Sequence, residues 1–339
     1  MPTLKDILPR VIDGENLSRE DAAAAMDAIM SGEATDAQIG AFLIAMRLKG
    51  ETTDEIAGCA EVMRRHATKI GVTGDVIDTC GTGGDSSGTF NISTAAAFVA
   101  AGAGAKVAKH GNRSVSSSSG SADVLRTLGV KIDCAPPIVE RCIEEAGIGF
   151  LFAPMLHAAM KHAIGPRREI GVRTVFNILG PLTNPAGAKR QLMGVFSRDL
   201  TAKLAEVLAA LGAESALVVA GEDGLDEIST TAPTTVSRVA SGKVTTETLD
   251  AQALGIPRAT LDDLRVSSPE ESAAALGRVL DGQKGPQRDI VLLNAAGALI
   301  ASGLAEDWEG GLGAAAASID DGRARGAFDK LVEVSNTEA

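Results

Sequence analysis

The sequence predicts an α/β protein: a small all-α unit over residues 1–72, then a larger unit over 73–339 built on a mainly parallel central sheet flanked by helices. Three observations predict it. Capped helical runs follow one another through the first unit with no strand between them, the mark of a helix-only module. From residue 74 onward, short apolar runs alternate with helical runs, as a parallel sheet with crossover helices requires. Aromatic side chains are scarce, one Trp, eight Phe and no Tyr, so the core rests on Ala, Val, Leu and Ile. That favours helices packed on strands over an aromatic-rich β-sandwich.

Three short helices are expected first. Ser18 opens SREDAAAAMDAIMSG, with Asp21 in the first turn and Gly32 as a stop. Thr35 opens TDAQIGAFLIAMRLKG, with Gln38 at the capping-box position and Gly50 as its stop. Thr52 or Thr53 opens TTDEIAGCAEVMRRHA, acidic at its start and ending on Arg64, Arg65 and His66. Each carries the cap chemistry and charge order that a helix dipole favours. DVIDTC then reads as a strand, followed by a Gly-rich loop and the helix STAAAFVAAGA. AKVAKHG reads as a second strand, followed by the loop NRSVSSSSG and the helix SADVLRTLGV. GIGFLFA, QLMGVFS and ESALVVAG are further strands, alternating with helical runs around 136–146, 155–163, 201–212, 270–281 and 286–303. The Thr- and Val-rich segment 228–250, with its Ser-Gly turn, reads as a strand pair, and the tail NTEA as frayed. Ligands of such folds sit beyond the carboxyl ends of the strands, where the Gly- and Ser-rich loops fall.

The net charge of −12 disfavours a broad basic face for nucleic acid, while leaving room for a small polyanion held by amides, local cations and a metal. Cys59, Cys80, Cys134 and Cys142 form no CxxC pair, and His66, His110, His157 and His162 form no HExxH, so neither a disulfide scaffold nor a zinc site is expected. The N-terminus has no apolar h-region, and no stretch approaches the roughly 20 apolar residues of a membrane span. Cytoplasmic residence without a membrane partner is the expectation.

Five motifs carry chemistry. Gly81-Thr82-Gly83-Gly84-Asp85 follows the first strand, and its glycines let several N–H groups approach one ligand, as pyrophosphate requires; a tight turn without ligand would use the same residues. Thr89-Phe90-Asn91-Ile92-Ser93-Thr94 leads into a helix whose N-terminus favours anions, although Asn, Ser and Thr are also ordinary caps. Lys109 to Ser121 brings two cations, six Ser hydroxyls and two Gly residues to one loop, suited to folding over phosphate or else a mobile linker. Asp226-Glu227, after a strand, supplies adjacent hard oxygens for Mg²⁺, or a solvated acidic pair. Gly165-Pro166-Arg167-Arg168-Glu169 offers a cation that could fork onto a carboxylate, or an ion pair of Arg168 or Arg173 with Glu169.

Together these residues resemble the anthranilate phosphoribosyltransferase family, in the nucleoside phosphorylase-like class of phosphoribosyltransferases. The resemblance rests on GTGGD at 81–85, NIST at 91–94, KHGNRSVSS at 109–117 with the SADVL that follows, GPRRE at 165–169, NILGPLTNP at 177–185 and DE at 226–227, in family order and at family spacing. It implies a substrate pair, anthranilate and phosphoribosyl pyrophosphate, with Mg²⁺ as cofactor, a homodimer joined through the helical unit, and a helical segment near 165–190 that joins that unit in space. By the same resemblance, phosphoribosyl pyrophosphate would be held by Gly81, Gly84, Asp85, Thr89, Asn91, Ile92, Ser93, Thr94, Lys109, His110, Gly111, Asn112, Arg113, Ser114, Val115, Ser116, Ser117 and Ser121. Gly81, Asn112 and Arg167 would contact anthranilate, Arg167 reading its carboxylate. Ser93, Asp226 and Glu227 would hold magnesium, and Lys109, Asp226 and Glu227 would carry catalysis. Ser118 departs from the pattern, because several relatives carry a basic residue there. The rival readings are a pyrimidine nucleoside phosphorylase of the same fold and a non-catalytic nucleic-acid-binding homologue.

Overall fold

The computed structural model describes residues 2–85, 87–113 and 120–338. Four helices open the chain, α1 (Leu4–Ile12), α2 (Arg19–Met30), α3 (Asp36–Lys49) and α4 (Thr53–His66). Ser18, Thr35 and Thr52 cap the last three as the sequence predicts, each accepting a backbone N–H from Asp21, Gln38 and Glu55 respectively. The first helix is a correction to the expected three. Thr3 donates both its N–H and its hydroxyl to the Asp6 carboxylate, and Leu4, Ile7 and Val11 bury one stripe. Pro9 inside this helix removes one ladder donor and obscures the helical pattern in the sequence.

The larger part alternates β1 (Ile77–Gly81), α5 (Ile92–Gly102), β2 (Val107–Gly111), α6 (Ser121–Thr127), α7 (Pro136–Ala146) and β3 (Ile148–Phe152). Short helices α8 (Ala153–Leu156), α9 (Lys161–Ile170) and α10 (Phe176–Leu179) precede β4 (Arg190–Gly194), α11 (Asp199–Ala210) and β5 (Ser215–Gly221). A hairpin of β6 (Thr234–Ala240) and β7 (Lys243–Leu249) follows, then α12 (Pro269–Leu280), α13 (Pro286–Ser302), α14 (Trp308–Asp320) and α15 (Arg323–Ser335). The single helix expected around 155–163 is broken instead, because His157 leaves helical geometry at φ −118° and ψ 56°. The last two helices are absent from the sequence expectation. Three glycines in WEGGLGAAAASID depress the helix propensity of α14, which the Asp307 cap and the packed neighbours overcome.

Among the described residues, seven strands form one sheet in the order β3-β2-β1-β4-β5-β6-β7. The first five are parallel, with Ile77 opposite both Val107 and Arg190, and β6 and β7 extend the edge antiparallel. Ser241 and Gly242 turn the hairpin with φ of 50° and 74°, the two left-handed residues of a type I′ turn. One apolar core holds α5, α7, α13 and α15 against the sheet. A second joins Ile7, Ile29, Phe42 and Ile56 of α1–α4 to Phe176 and Leu179 of α10, and to Met193, Val218 and the α11 residues Leu204 and Leu208. The helical bundle and one face of the sheet therefore share a core.

Candidate active site

The chain runs from β1 outward to β2 and β3, then returns to β4 on the other side of β1. The crevice between the carboxyl ends of β1 and β4 is thus the switch point where open α/β sheets bind ligands. Gly81 ends β1 and Gly194 ends β4, and Asp226 lies across both, with its backbone against Gly194 and its side chain against Gly81. A Cβ at Gly81 would come within 2.6 Å of the Asp226 carboxylate, and one at Gly194 within 1.6 Å of its carbonyl oxygen.

The loop after β5 is built to hold Asp226 and Glu227 in place. Asp223 accepts the Leu225 N–H at 3.2 Å and the Ser229 hydroxyl at 2.6 Å. Buried Asn294 of α13 accepts the Ile228 N–H and donates to the Ile228 carbonyl, both at 2.9 Å. Asp226 in turn accepts the Gly83 N–H at 2.8 Å. Burial, reinforced by repulsion from Asp85, pushes the Asp226 carboxyl up to about 7, against the pull of that N–H. Burial and then Asp226 raise Glu227 well above the ordinary carboxylate range, with Lys109 opposing them.

Lys109 rises from β2 into the same place with a side chain 2% exposed. Its Nζ donates to the Thr79 carbonyl and, at 3.2 Å, to the Ser93 hydroxyl at the start of α5. Burial pulls its pKa down, and the charges of Asp78, Cys80, Glu227 and Asp226 oppose that pull. Two buried carboxyls facing one ammonium favour a further cation. Hard oxygens from Asp226, Glu227 and Ser93 are the donor type Mg²⁺ takes, usually with one or two carboxylates and substrate phosphates completing its shell. The described residues contain no cluster of three His, Cys, Asp or Glu that would hold a metal alone.

The Gly-rich loop is tethered residue by residue. The Thr82 hydroxyl accepts the Phe196 N–H at 3.1 Å, Gly83 donates to Asp226, and the Gly84 carbonyl accepts from Arg173. Asp85 accepts the Ser87 hydroxyl at 2.6 Å, and Ser87 lies 3.3 Å from the Thr89 hydroxyl. Thr89 pairs with Arg265 in an isolated antiparallel bridge, and Arg265 donates Nε to the Ser87 carbonyl at 3.1 Å. Asn91 caps α5 by accepting the Thr94 N–H at 3.2 Å, and Ile92 and Thr94 are buried beneath it. Its own N–H donates to the Ser272 hydroxyl of α12 at 2.9 Å.

The loop after β2 is described at both ends. Gly111 approaches Ser121 so closely that a Cβ would meet its hydroxyl at 2.4 Å, and the Asn112 carbonyl accepts from Ser121 Oγ at 3.3 Å and from the Ala122 N–H at 3.2 Å. Arg113 lies 5.8 Å above the Phe152 ring. Ser114, Val115, Ser116, Ser117 and Ser118 lie outside the described residues. The His110 imidazole packs 5.1 Å from His157. Burial, then the charge of His157, pulls it down to about 3, so it is neutral. Its backbone N–H donates to Asp78 at 3.0 Å.

Arg167 sits on α9 with its guanidinium 4.9 Å over the Phe176 ring. Burial lowers its pKa, and among the described residues it has no carboxylate partner. The alternative ion pair of Arg168 or Arg173 with Glu169 does not form among them either. Four contributors escape sequence inspection: Asp223, Asn294, Arg173 and Arg265. A fifth is Asn184, which donates to Asp78 at 2.7 Å and to the Ala108 carbonyl at 2.8 Å, bracing β1 and β2. Its place in NILGPLTNP was visible, but not its partner 106 residues away.

Comparison with known proteins converges on one family. Residues 5–67 match the family described as glycosyl transferase family, helical bundle domain, and residues 73–325 its a/b domain. The chain is 53% identical over 335 residues to an anthranilate phosphoribosyltransferase of Acetivibrio thermocellus, covering 98% of this chain and 97% of that one. It is 51% identical to one from Rhodopseudomonas palustris, covering 100% of both. Its fold is similar to the crystal structure of anthranilate phosphoribosyltransferase from Thermus thermophilus, with TM-score 0.93, 42% identity, and coverage of 98% and 100%. The Saccharomyces cerevisiae enzyme in complex with PRPP and Mg aligns with TM-score 0.89 at 29% identity, covering 98% of this chain and 97% of that one.

Proposed function

The chain belongs to the glycosyl transferase family and, within it, to the anthranilate phosphoribosyltransferases, and from that premise we propose how its site performs the reaction. It transfers the phosphoribosyl group of 5-phosphoribosyl 1-pyrophosphate to the amine of anthranilate, giving N-(5-phosphoribosyl)anthranilate and pyrophosphate, the second step from chorismate in L-tryptophan biosynthesis. The observation that carries this reading is the convergence of Asp226, Glu227, Lys109 and the Gly81–Gly84 loop at the switch point.

The Gly loop amides and the N-terminus of α5, with Asp85, Thr89, Asn91, Ile92 and Thr94, are assigned to phosphoribosyl pyrophosphate, as are the two ends of the loop running from Lys109 to Ser121. Asp226, Glu227 and the Ser93 hydroxyl would hold Mg²⁺. When bound, that ion neutralises charge that gathers on the departing pyrophosphate. Lys109 keeps one N–H beyond the two it gives to Thr79 and Ser93, and places a fixed positive charge where negative charge develops. As the C1–O bond breaks and the C1–N bond forms, the anthranilate nitrogen loses a proton to solvent or to the leaving diphosphate. An arylamine is neutral at pH 7 before attack, so alignment and charge stabilisation suffice, and no side chain is needed as a covalent nucleophile. Arg167, with Asn112 and Gly81, would read the acceptor, its guanidinium held ready on Phe176 and, among the described residues, free of any competing carboxylate.

We also propose a cytoplasmic homodimer divided at 1–72 and 73–339, with the segment near 165–190 belonging spatially to the helical unit. Support comes from the shared core of α10 with α1–α4 and from the exposed Ile12 and Leu48 on α1 and α3. No helix among the described residues is long and apolar enough to cross a membrane. The deciding measurement follows the loss of anthranilate fluorescence on adding phosphoribosyl pyrophosphate, with and without Mg²⁺. Magnesium-dependent loss with stoichiometric release of pyrophosphate is expected, and its absence would refute the reading.

A further inference from the structure

We propose that Arg173 is a positioning residue that couples the two substrates, tying the segment that reads the acceptor to the loop that holds the pyrophosphate. The inference rests on the assignment of Arg167 to anthranilate and of the Gly81–Gly84 loop to phosphoribosyl pyrophosphate.

The Arg173 side chain donates to the carbonyl of Gly84, and its guanidinium stacks 4.1 Å over the Phe196 ring. The stack fixes the plane of the fork, so the donor has a set direction. Phe196 itself donates its N–H to the Thr82 hydroxyl, so one Arg–Phe unit grips the loop at both Thr82 and Gly84. Gly84 has φ of 78°, a region glycine enters readily, and its peptide would rotate easily without a partner. Because a peptide is planar, fixing the Gly84 carbonyl also fixes the following N–H, that of Asp85, on the opposite side. Arg173 therefore aims a donor of the phosphate loop without touching the substrate.

The other end of the connection leads to the acceptor. Arg167 lies six residues before Arg173, on α9, and the two are separated by the left-handed Gly171 that ends that helix. Phe176, on which Arg167 stacks, lies three residues after Arg173, so the two arginines and their segment fold back on one another. The Arg173 carbonyl accepts from Arg47 of α3, which anchors the turn to the helical bundle. Among the described residues Arg173 has no carboxylate partner, although the chain carries 44 acids, so its guanidinium is committed to the loop. Movement of the Arg167 segment towards a bound carboxylate would be carried to Gly84 through Arg173. Among the described residues, three tethers that involve a side chain hold Thr82, Gly83 and Gly84, and this is the one from the acceptor segment.

The test is initial-rate kinetics over a grid of both substrates with saturating Mg²⁺, for the parent, Arg173→Ala, Arg173→Lys and Phe196→Leu, with melting temperatures recorded alongside. In the parent, anthranilate should tighten phosphoribosyl pyrophosphate by roughly fivefold or more, the usual scale of coupling between sites. In Arg173→Ala the coupling factor should fall to near one, with the KM for phosphoribosyl pyrophosphate raised more than kcat is lowered. Arg173→Lys keeps the charge but lacks the fork and should stay uncoupled, and Phe196→Leu should lose most of the coupling while keeping the arginine. A merely structural role would lower stability and kcat together and leave the factor unchanged. Coupling retained in Arg173→Ala, while Arg167→Ala still raises the anthranilate KM, overturns this inference alone. An unchanged anthranilate KM in Arg167→Ala overturns the assignment beneath it, and the inference with it.

Discussion

Among the described residues, Lys109 is the ammonium that faces the two buried carboxyls of Asp226 and Glu227. Replacing it with alanine removes a preorganised cation from the place assigned to the departing pyrophosphate, a change that costs on the order of 10²-fold when such a donor is lost. The loss should fall on kcat/KM for phosphoribosyl pyrophosphate and much less on anthranilate; equal losses for both substrates would contradict the role. His157 supports a pH prediction. Burial first, and the charge of Lys69 second, pull its pKa down to about 4 from an unfolded value near 6.5. The unfolded chain therefore binds the extra proton first as pH falls, so this group's stabilising contribution is complete above 6.5 and declines towards pH 4. The gap corresponds to about 3 kcal/mol, and His157→Gln should lose correspondingly less stability than the parent between pH 6.5 and 4.5 in urea titrations. Parallel pH profiles would remove the histidine as the cause. At this scale the motifs single out candidate ligand-type residues. The sequence concealed their supports, since Arg173 and Gly84 are 89 residues apart and Ile228 and Asn294 are 66 apart.

Among the elements, α2, α3 and α4 were legible because each carries its own start signal, a Ser or Thr whose oxygen takes the N–H three residues on. The strands were legible as apolar runs ending in loops, and the hairpin by its Ser-Gly turn. By contrast, α14 holds its shape through packing that propensity opposes, and α1 contains a proline. One cap in the bundle does more than start its helix. Glu55, at the third position of α4, accepts the Thr52 N–H at 2.8 Å and the Leu17 N–H at 2.8 Å, and pairs with Lys49 at the end of α3, also at 2.8 Å. The two side chains are 0% and 5% exposed, so the carboxylate joins the α1–α2 connection, α3 and α4 inside the protein. Removing one partner of a buried pair leaves the other charge uncompensated, which costs about 3–5 kcal/mol. Glu55→Ala should show that loss in denaturant unfolding. A loss below about 1 kcal/mol, the range of an exposed pair, would mean that water reaches the site.

For the molecule as a whole, the strand order brings the Gly loop, α5 and the acidic pair to one edge, at the β1–β4 crevice to which the chemistry is assigned. Strand and helix alternation predicted the sheet, but not which strands adjoin: a return from β3 to the far side of β1 leaves no local trace. The same holds for the sharing of a core between bundle and sheet. Sequence composition divides the chain near residue 72, yet Phe42 and Ile56 of the bundle lie in one apolar cluster with Met193 and Val218 of the sheet and Leu208 of α11. Two units that bury each other's apolar faces lose that burial together, at roughly 25 cal/mol for each Å² returned to water. The metal-free chain is therefore expected to unfold in one calorimetric transition, with the van't Hoff and calorimetric enthalpies equal within error. Residues 73–339 expressed alone should expose the Met193–Val218 face, bind an apolar dye and self-associate. Two resolved transitions in the full chain, or a monomeric and cooperatively folded 73–339 fragment, would show that the bundle merely rests on the sheet.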